Sequence, residues 1–375
     1  MEAPPVQLTL RAPRSLQPGE LVMGAIWISP DADLIAQGRD DAGQPNATAA
    51  VAAALAAGVR AFDTAPIYGM GMSEERLGAA LVASGHDLSS VQVFTKVGRL
   101  IRSSADPADP VGRGSELPPR TDLDSVPAGP HRVLVHDYSG SGAATGLYES
   151  LGRLGLDTCH GLRIHDPNDH YYPLEKPNDD VAQALGADGL CEGLRQLREA
   201  GTISAVSLGM NTSVAEGRDQ TGPLRMLRGA PKGTYDCVLL AGGWNLLCQD
   251  GLEAMVECEE QGIPVHVAGV LGSGLLADNG QSTFDYAPAS DAIRAQADRW
   301  RALAQKHGVS MLATCLTFAA MPSCVEKVVV GMGTPEEVEA DVAALRERVP
   351  LQLFAEAQAE GMLSARIRLP PHETL

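Results

Sequence analysis

The sequence predicts an α/β protein, a single-domain (β/α)8 barrel of the TIM type. About eight short runs of β-branched or apolar residues recur along the chain, and most are followed by a helix-like segment, an alternation that is typical of a parallel sheet. Eight such repeats over roughly 300 residues fit a closed barrel better than an open sheet. A doubly wound open sheet is the alternative, but it predicts a GxGxxG motif after an early strand, and none is present.

The strand and helix candidates follow one another in chain order. The strand candidates are residues 20–28, 59–62, 91–95, 161–164, 203–208, 236–240, 265–270 and 325–330. The helix candidates are residues 46–57, 73–83, 147–154, 181–200, 252–261, 291–307 and 335–348. Asn46 is expected to cap the first helix, and Gly155, Gly201 and Gly262 are expected to end three of the others.

Three further segments lie outside this alternation. Residues 99–130 are rich in Pro, Gly, Ser and Asp, which predicts a long surface loop at the mouth of the active site. Residues 1–19 are expected to form an N-terminal extension, residues 20–350 the barrel, and residues 351–375 a C-terminal tail.

The composition excludes several classes of partner. A net charge of −18 argues against nucleic acid or an anionic membrane as a partner, because phosphate binding needs clustered Lys and Arg. No apolar run approaches the roughly 18–20 residues that cross a bilayer, and the N-terminus lacks a signal core. The seven cysteines form no CxxC or Cys/His metal spacing, so we expect buried free thiols, no metal site and a cytoplasmic protein.

Four residues with side chains suited to acid–base chemistry lie where predicted strands end and loops begin. Asp63 ends one apolar run and precedes Tyr68 by five positions, while Lys96 and His165 end two others. A buried ammonium needs a carboxylate such as Asp63, and an ammonium near a phenol lowers the phenol's pKa toward the range useful for proton transfer. A structural Asp–Lys pair, a core tyrosine and a satisfied histidine form the alternative interpretation, which the occurrence of all four at strand ends disfavours.

The motifs around these residues resemble those of the aldo-keto reductases. FDTAPIYGMGMSEERLG is similar to the signature of that family, TKVG and IHDP are similar to two other active-site strands, and the resemblance covers about residues 20–350. It implies a (β/α)8 barrel, a nicotinamide dinucleotide bound without a Rossmann motif, and a catalytic tetrad. In that tetrad Tyr68 is the general acid/base, Lys96 tunes it, Asp63 pairs with Lys96, and His165 orients the substrate oxygen.

Other stretches resemble one subgroup, the aldose 1-dehydrogenases and the related pyridoxal 4-dehydrogenase. They include RLGLD, IHDPNDHYYPLE, CVLLAGGWNLL and VVVGMGTPEEVEADV. The subgroup implies oxidation of carbon 1 of an aldose of the L-fucose, L-galactose or D-arabinose type to its lactone, with a small sugar or aldehyde as the binding partner. A reductase running the other way, and a cofactor-binding regulatory subunit of the same fold, remain open alternatives; the sequence leaves the oligomeric state open.

The same resemblance implies a set of cofactor contacts. They are Asn211 at the nicotinamide amide, Gly269, Leu271, Gly272 and Ser273 in a loop over the pyrophosphate, and Gly331, Met332, Gly333, Thr334, Glu337 and Asp341 at the start of the last helix. Relatives that prefer NADP place Lys or Arg in the last segment, where this chain has Gly331 and Glu337. A carboxylate repels a phosphate, so NAD is expected over NADP.

Several positions depart from the family pattern. His160 stands where the family has an aspartate, Arg163 lies in the same apolar strand, and Gly243 with Trp244 replaces an Arg–Tyr pair. Trp244 and Trp27 are candidates for stacking on a sugar face, with core packing as the alternative for each.

Overall fold

Eight parallel strands close into a barrel, which confirms the predicted fold class. The computed structural model describes residues 7–29, 43–103, 132–167, 179–213, 221–277, 283–285 and 287–371. The barrel strands, in chain order, are β1 (Leu21–Gly24), β2 (Ala61–Asp63), β3 (Gln92–Val97), β6 (Gly161–His165), β7 (Ala205–Asn211), β8 (Cys237–Ala241), β9 (Val265–Ala268) and β12 (Val325–Gly331). They run around the barrel in sequence order, and β1 closes it by pairing with both β2 and β12.

The helices pack around the outside of the barrel. They are α1 (Gly43–Ala57), α2 (Met72–Ala83), α3 (Gly140–Leu154), α4 (Asp180–Leu185), α5 (Leu190–Glu199), α6 (Thr221–Gly229), α7 (Leu252–Gln261), α8 (Asp291–Lys306), α9 (Met311–Ala320), α10 (Pro335–Ala344) and α11 (Leu351–Ala359). Within the described ranges, no helix is both long and apolar enough to cross a membrane.

Two pairs of short strands lie outside the barrel. β4 (Arg99–Ser103) pairs antiparallel with β5 (Arg132–His136), and β10 (Thr283–Phe284) pairs with β11 (Ala287–Pro288). The segment expected as a long loop from residue 99 therefore begins as a strand; residues 104–131 of it lie outside the described residues. Pairing with a strand about 30 positions away is a tertiary contact that local composition does not reveal.

The sequence patterns predicted the presence of these helices more accurately than their first and last residues. Gly155 and Gly262 end α3 and α7 in the left-handed conformation, as expected. Asn46, in contrast, lies inside α1 and donates from Nδ2 to the carbonyl oxygen of Gly333 at 2.5 Å, so the predicted cap is wrong. The single helix expected over residues 181–200 is divided into α4 and α5.

Both ends of the chain contribute to the core. Leu8, Leu10 and Leu16 are buried in the main apolar cluster, and so are Leu353 and Phe354 of α11. Apolar side chains from both segments thus pack in the same cluster as those of the barrel.

Candidate active site

The structure brings together the four side chains proposed as a tetrad. Asp63 and His165 are the last residues of β2 and β6, Lys96 lies near the end of β3, and Tyr68 begins a short 3-10 turn after β2. Neighbouring parallel strands end at the same rim of a barrel, so these groups converge at its carboxyl end. Their convergence there is the geometry that acid–base chemistry requires.

Lys96 is held by two oxygens. Its Nζ donates to Oδ1 of Asp63 and, at 2.8 Å, to the carbonyl oxygen of Thr64. Lys96 and Asp63 are 2% and 3% exposed. Burial lowers the pKa of Lys96 while Asp63 opposes that change. Burial alone would raise the pKa of Asp63, but Lys96 and Arg163 outweigh it, so that pKa lies below its usual range. Asp63 is therefore ionised at neutral pH, and its carboxylate favours the charged form of Lys96.

Tyr68 lies against both partners. Nζ of Lys96 is 4.6 Å from the centroid of the phenol ring, and the rings of Tyr68 and His165 meet edge to face with centroids 6.1 Å apart. Burial raises the pKa of Tyr68 well above its ordinary value, and the carboxylates of Asp63 and Asp166 raise it further. This direction is opposite to the one expected from Lys96, because burial and two carboxylates outweigh the nearby cations. Tyr68 thus carries its proton at neutral pH.

His165 is neutral. Burial lowers its pKa well below the ordinary value, and the cations of Arg99 and Lys96 lower it further. Its Nδ1 has no hydrogen-bond partner among the described residues, and its Nε2 lies 3.5 Å from Oδ2 of Asp166. A neutral imidazole offers one donor and one acceptor, which suits it to orient a substrate hydroxyl or carbonyl oxygen.

Two charged residues beside His165 were not among the predicted site residues. Asp166 adopts a positive φ of 40° and accepts from the backbone and side-chain nitrogens of Asn211 at 2.7 and 3.0 Å. Arg99, which is 3% exposed, donates to the carbonyl oxygen of Asp166 at 3.0 Å. Their sequence signal is weak: Arg99 directly follows the TKVG motif, and Asp166 lies inside the IHDP motif next to His165. Together they hold Asn211, the predicted nicotinamide contact, at the rim of the barrel.

The loop predicted to cover the pyrophosphate is shaped by glycines. Gly269 and Gly272 have positive φ angles of 70° and 56°, and a Cβ at Gly269 would stand 2.7 Å from the backbone nitrogen of Gly242. The β10–β11 hairpin lies on this loop, with Phe284 against Gly272 and Thr283 Oγ1 donating to the carbonyl oxygen of Ser273 at 3.0 Å. Such a cradle, which a Cβ would fill, fits the close backbone approach of a dinucleotide.

The segment before α10 carries the other group of predicted cofactor residues. Thr334 caps α10 by accepting from the Glu337 nitrogen at 3.2 Å, and Oε2 of Glu337 accepts from the Gly333 nitrogen at 2.7 Å. The helix start would attract a phosphate, but the Glu337 carboxylate already binds one of its amides. The residues present fit the phosphates of a dinucleotide, and the Glu337 carboxylate places a negative charge at the start of α10.

The remaining predicted cofactor residues differ in exposure. Met332 is fully buried in the apolar core, so its side chain packs there. Leu271 is partly buried against the same core. Asp341 is 3% exposed, and burial together with the Glu337 carboxylate raises its pKa well above the ordinary value.

The two candidate tryptophans lie in different surroundings. Trp27 packs its indole on the backbone of Gly331, where an added Cβ would be 2.0 Å from Nε1. Trp244 is 1% exposed and stacks on Phe318 with ring centroids 5.1 Å apart, which corresponds to the core-packing alternative. Gly243 beside it approaches the Thr212 carbonyl so closely that a Cβ would lie 2.4 Å from that oxygen.

The two departures around β6 are resolved by the structure. His160 precedes β6 at the amino end of the barrel and packs on Phe94 with ring centroids 5.1 Å apart. Arg163 is fully buried and donates from Nε to Oδ2 of Asp63 at 2.6 Å. The unexpected arginine thus binds the tetrad carboxylate directly.

Comparison with known proteins finds one matching family and several relatives. The model of the aldo/keto reductase family matches residues 36–359. A D-threo-aldose 1-dehydrogenase of a Pseudomonas species is 32% identical over 83% of this chain and 86% of its own length. A pyridoxal 4-dehydrogenase of Microbacterium luteolum is 29% identical over 85% of this chain and 89% of its own. Among solved structures, a glycerol dehydrogenase of Gluconobacter oxydans superposes with a TM-score of 0.61 at 19% identity, covering 98% of both chains.

Proposed function

The chain belongs to the aldo/keto reductase family of NAD(P)-dependent oxidoreductases, and we propose that it oxidises carbon 1 of an aldose to the lactone with NAD. The observation that carries this proposal is the convergence of Tyr68 with the Asp63–Lys96 pair and a neutral His165 at the barrel rim. The 32% identity to a D-threo-aldose 1-dehydrogenase supports the substrate class.

The proposed reaction needs one proton acceptor and one oriented oxygen. The anomeric hydroxyl of the sugar lies between Tyr68 and His165, and His165 donates to the oxygen and fixes its direction. Tyr68, as the phenolate, accepts the hydroxyl proton, while the C1–H bond breaks and the C1–O bond becomes the lactone carbonyl. A bound nicotinamide dinucleotide supplies the acceptor for the hydride. Lys96, held by Asp63, stabilises the phenolate through its positive charge.

The raised pKa of Tyr68 gives this reaction a direction of pH dependence. Because the phenolate is the active form for oxidation, kcat/KM for the sugar should increase with pH and still be rising at about pH 9. A profile that is flat from neutral pH upward would contradict Tyr68 as the base.

The preference for NAD rests on Glu337. Its carboxylate binds the amide of Gly333 at the helix start, so a further phosphate there would meet a negative charge and lose an amide donor. We expect a higher kcat/KM with NAD than with NADP, and a clear preference for NADP would contradict this assignment.

A substrate panel tests the proposal. Purified protein is assayed at mildly alkaline pH for the appearance of NADH with L-fucose, L-galactose, D-arabinose and pyridoxal, with NADP in parallel wells and Tyr68→Phe as the control. Oxidation of one sugar by the wild type but not by the variant is the expected result. If no substrate of the panel leads to NADH formation while the protein still binds NADH, the result would favour the regulatory-subunit alternative.

A second candidate is a reductase of an aldehyde such as pyridoxal. Two observations favour it: the relative that acts on pyridoxal is 29% identical, and Tyr68 holds its proton at neutral pH, which is the form that protonates a carbonyl oxygen during reduction. Oxidation of NADH or NADPH by pyridoxal at neutral pH, faster than any sugar oxidation, would select this candidate.

A further inference from the structure

Arg163 is a fully buried arginine that the proposed reaction does not use. Each edge of its guanidinium has a partner: Nε donates to Oδ2 of Asp63 at 2.6 Å, Nη1 to Oγ of Ser207 at 2.7 Å, and Nη2 lies 2.9 Å from Nδ1 of His266. The plane of the group rests on the ring of Phe94, with 4.1 Å between Cζ and the centroid. The side chain therefore has a single, fully determined position.

The partners of Arg163 continue toward the opposite end of the barrel. Because Nη2 can only donate, Nδ1 of His266 must accept, and the imidazole proton then resides on Nε2. Nε2 lies 3.6 Å from Oε2 of Glu326, whose side chain is 54% exposed. Arg163 is thus anchored on one side by the tetrad carboxylate and on the other by a histidine that reaches a surface glutamate.

A contribution to stability does not by itself explain why an arginine is buried at position 163. Replacing a buried ion pair with apolar residues is often neutral or stabilising, and the positions beside it in β6, Leu162 and Ile164, are apolar. Asp63 already has a cationic partner in Lys96. The addition of Arg163 gives one carboxylate two cations, so the cluster carries a net charge of about +1 close to Tyr68.

We propose, on the basis of the proposed function, that Arg163 is a positioning residue for the tetrad. It fixes the second oxygen of Asp63 so that the first oxygen holds Lys96, and it adds a positive charge to the cluster beside Tyr68 that favours the phenolate.

The groups around Tyr68 act in opposite directions on its proton. Burial, Asp63 and Asp166 raise the pKa of Tyr68, whereas Arg163 and Arg99 lower it. The charged or titratable side chains that surround the phenol and the guanidinium are Asp63 from β2, Lys96 from β3, Arg99 from β4, His165 and Asp166 at the end of β6, Cys237 from β8 and His266 from β9. Without Arg163, one of the two arginines that counteract the effect of Asp63 and Asp166 on the Tyr68 pKa is lost. That pKa then rises, and the phenolate becomes harder to form.

The experiment compares pH profiles of kcat/KM for Arg163→Gln, Arg163→Lys and wild type, with the affinity for NADH measured by fluorescence. In Arg163→Gln the midpoint of the alkaline rise should move upward by on the order of one pH unit, a roughly tenfold loss at a fixed pH on the rise. NADH affinity should stay within about twofold. Arg163→Lys should recover part of the shift of the midpoint, because it restores the charge but not the planar set of donors.

Arg153→Gln is the matched control. Arg153 also donates from Nε to a buried carboxylate, Oε2 of Glu74 at 2.5 Å, but it lies in α3, outside the tetrad. This variant should lower thermal stability without moving the pH midpoint. An Arg163→Gln profile that coincides with the wild-type profile, or that shifts no more than that of Arg153→Gln, would overturn the proposal.

If Arg163→Gln does not fold, the positive charge of Arg163 can be offset by a carboxylate at position 266. His266→Glu places a carboxylate against Nη2, and His266→Gln is the neutral control of similar size. The Glu variant should have the higher midpoint of the two, and equal midpoints would overturn the proposal. Absence of wild-type turnover with every substrate would instead contradict the proposed function, which separates the two failures.

Discussion

Asp63→Asn is the substitution whose effect on stability follows most directly from the structure. The Asp63 carboxylate accepts from Lys96 on one oxygen and from Arg163 on the other, and these two cations are 2% and 0% exposed. An asparagine keeps one carbonyl oxygen but presents an NH2 group, a donor, where the second cation also donates. Both cations would then be buried without a counter-charge.

The expected loss is large. Removing one partner of a buried ion pair destabilises a protein by about 3–5 kcal/mol, and here two cations lose the same partner. We therefore expect about 5 kcal/mol, close to the lower end of the roughly 5–15 kcal/mol by which whole domains are stable.

The loss should also depend on pH. Burial already lowers the pKa of Lys96, and without Asp63 that pKa falls further. Between this lowered pKa and the ordinary value of about 10.4, the unfolded chain binds more protons than the folded one, so the stability of the variant increases with pH. The deficit relative to wild type should accordingly be greatest where Asp63 is ionised in the wild type and Lys96 is protonated in both proteins. It should become smaller as the pH rises from the Lys96 pKa of the variant toward that of the wild type. In the wild type the lowered pKa of Asp63 has the opposite consequence, since its contribution is lost as the pH falls through that pKa.

Chemical denaturation of wild type, Asp63→Asn and Glu74→Gln at several pH values measures these effects. Glu74 is also fully buried, but its one cation, Arg153, has a side chain that is 17% exposed and can be hydrated, so the control should lose only about 1–3 kcal/mol. A loss below about 1 kcal/mol for Asp63→Asn, or equal losses for the two variants at every pH, would refute the account of two cations sharing one carboxylate.

Three further predictions concern the site and its cofactor. Tyr68→Phe should reduce kcat at least about 100-fold while the Kd for NADH stays within about twofold; near-normal kcat would exclude Tyr68 as the proton carrier. Glu337→Gln should raise the ratio of kcat/KM with NADP to that with NAD roughly tenfold, because it removes the charge at the helix start. An unchanged ratio would mean that Glu337 does not face the extra phosphate. Gly331→Ala places a Cβ 2.0 Å from Nε1 of Trp27 and should lower stability by about 1–3 kcal/mol, with weaker NADH binding in a fluorescence titration; retention of both properties would show that Trp27 moves without consequence.

The sequence alone determined the barrel and the positions of the four central residues. Strand and helix signals are local, and a parallel strand followed by a helix leaves its carboxyl end at one rim, so Asp63, Lys96 and His165 could be assigned to the same end from their place in three apolar runs. The glycines that end α3 and α7 were likewise predictable from the sequence, because the left-handed conformation that follows a helix depends on the local residue.

Only the tertiary structure decided how the side chains pair. Arg163 meets Asp63 across 100 positions and His266 across 103, and nothing in the neighbouring residues specifies which partner a buried charge will reach. The same holds for Asn46, which binds Gly333 across 287 positions instead of capping its own helix, and for Trp244, whose ring packs on Phe318. The proton affinity of Tyr68 also depends on the tertiary structure, because burial acts on it together with charges from β2, β4 and β6 and from Asp166, which follows β6.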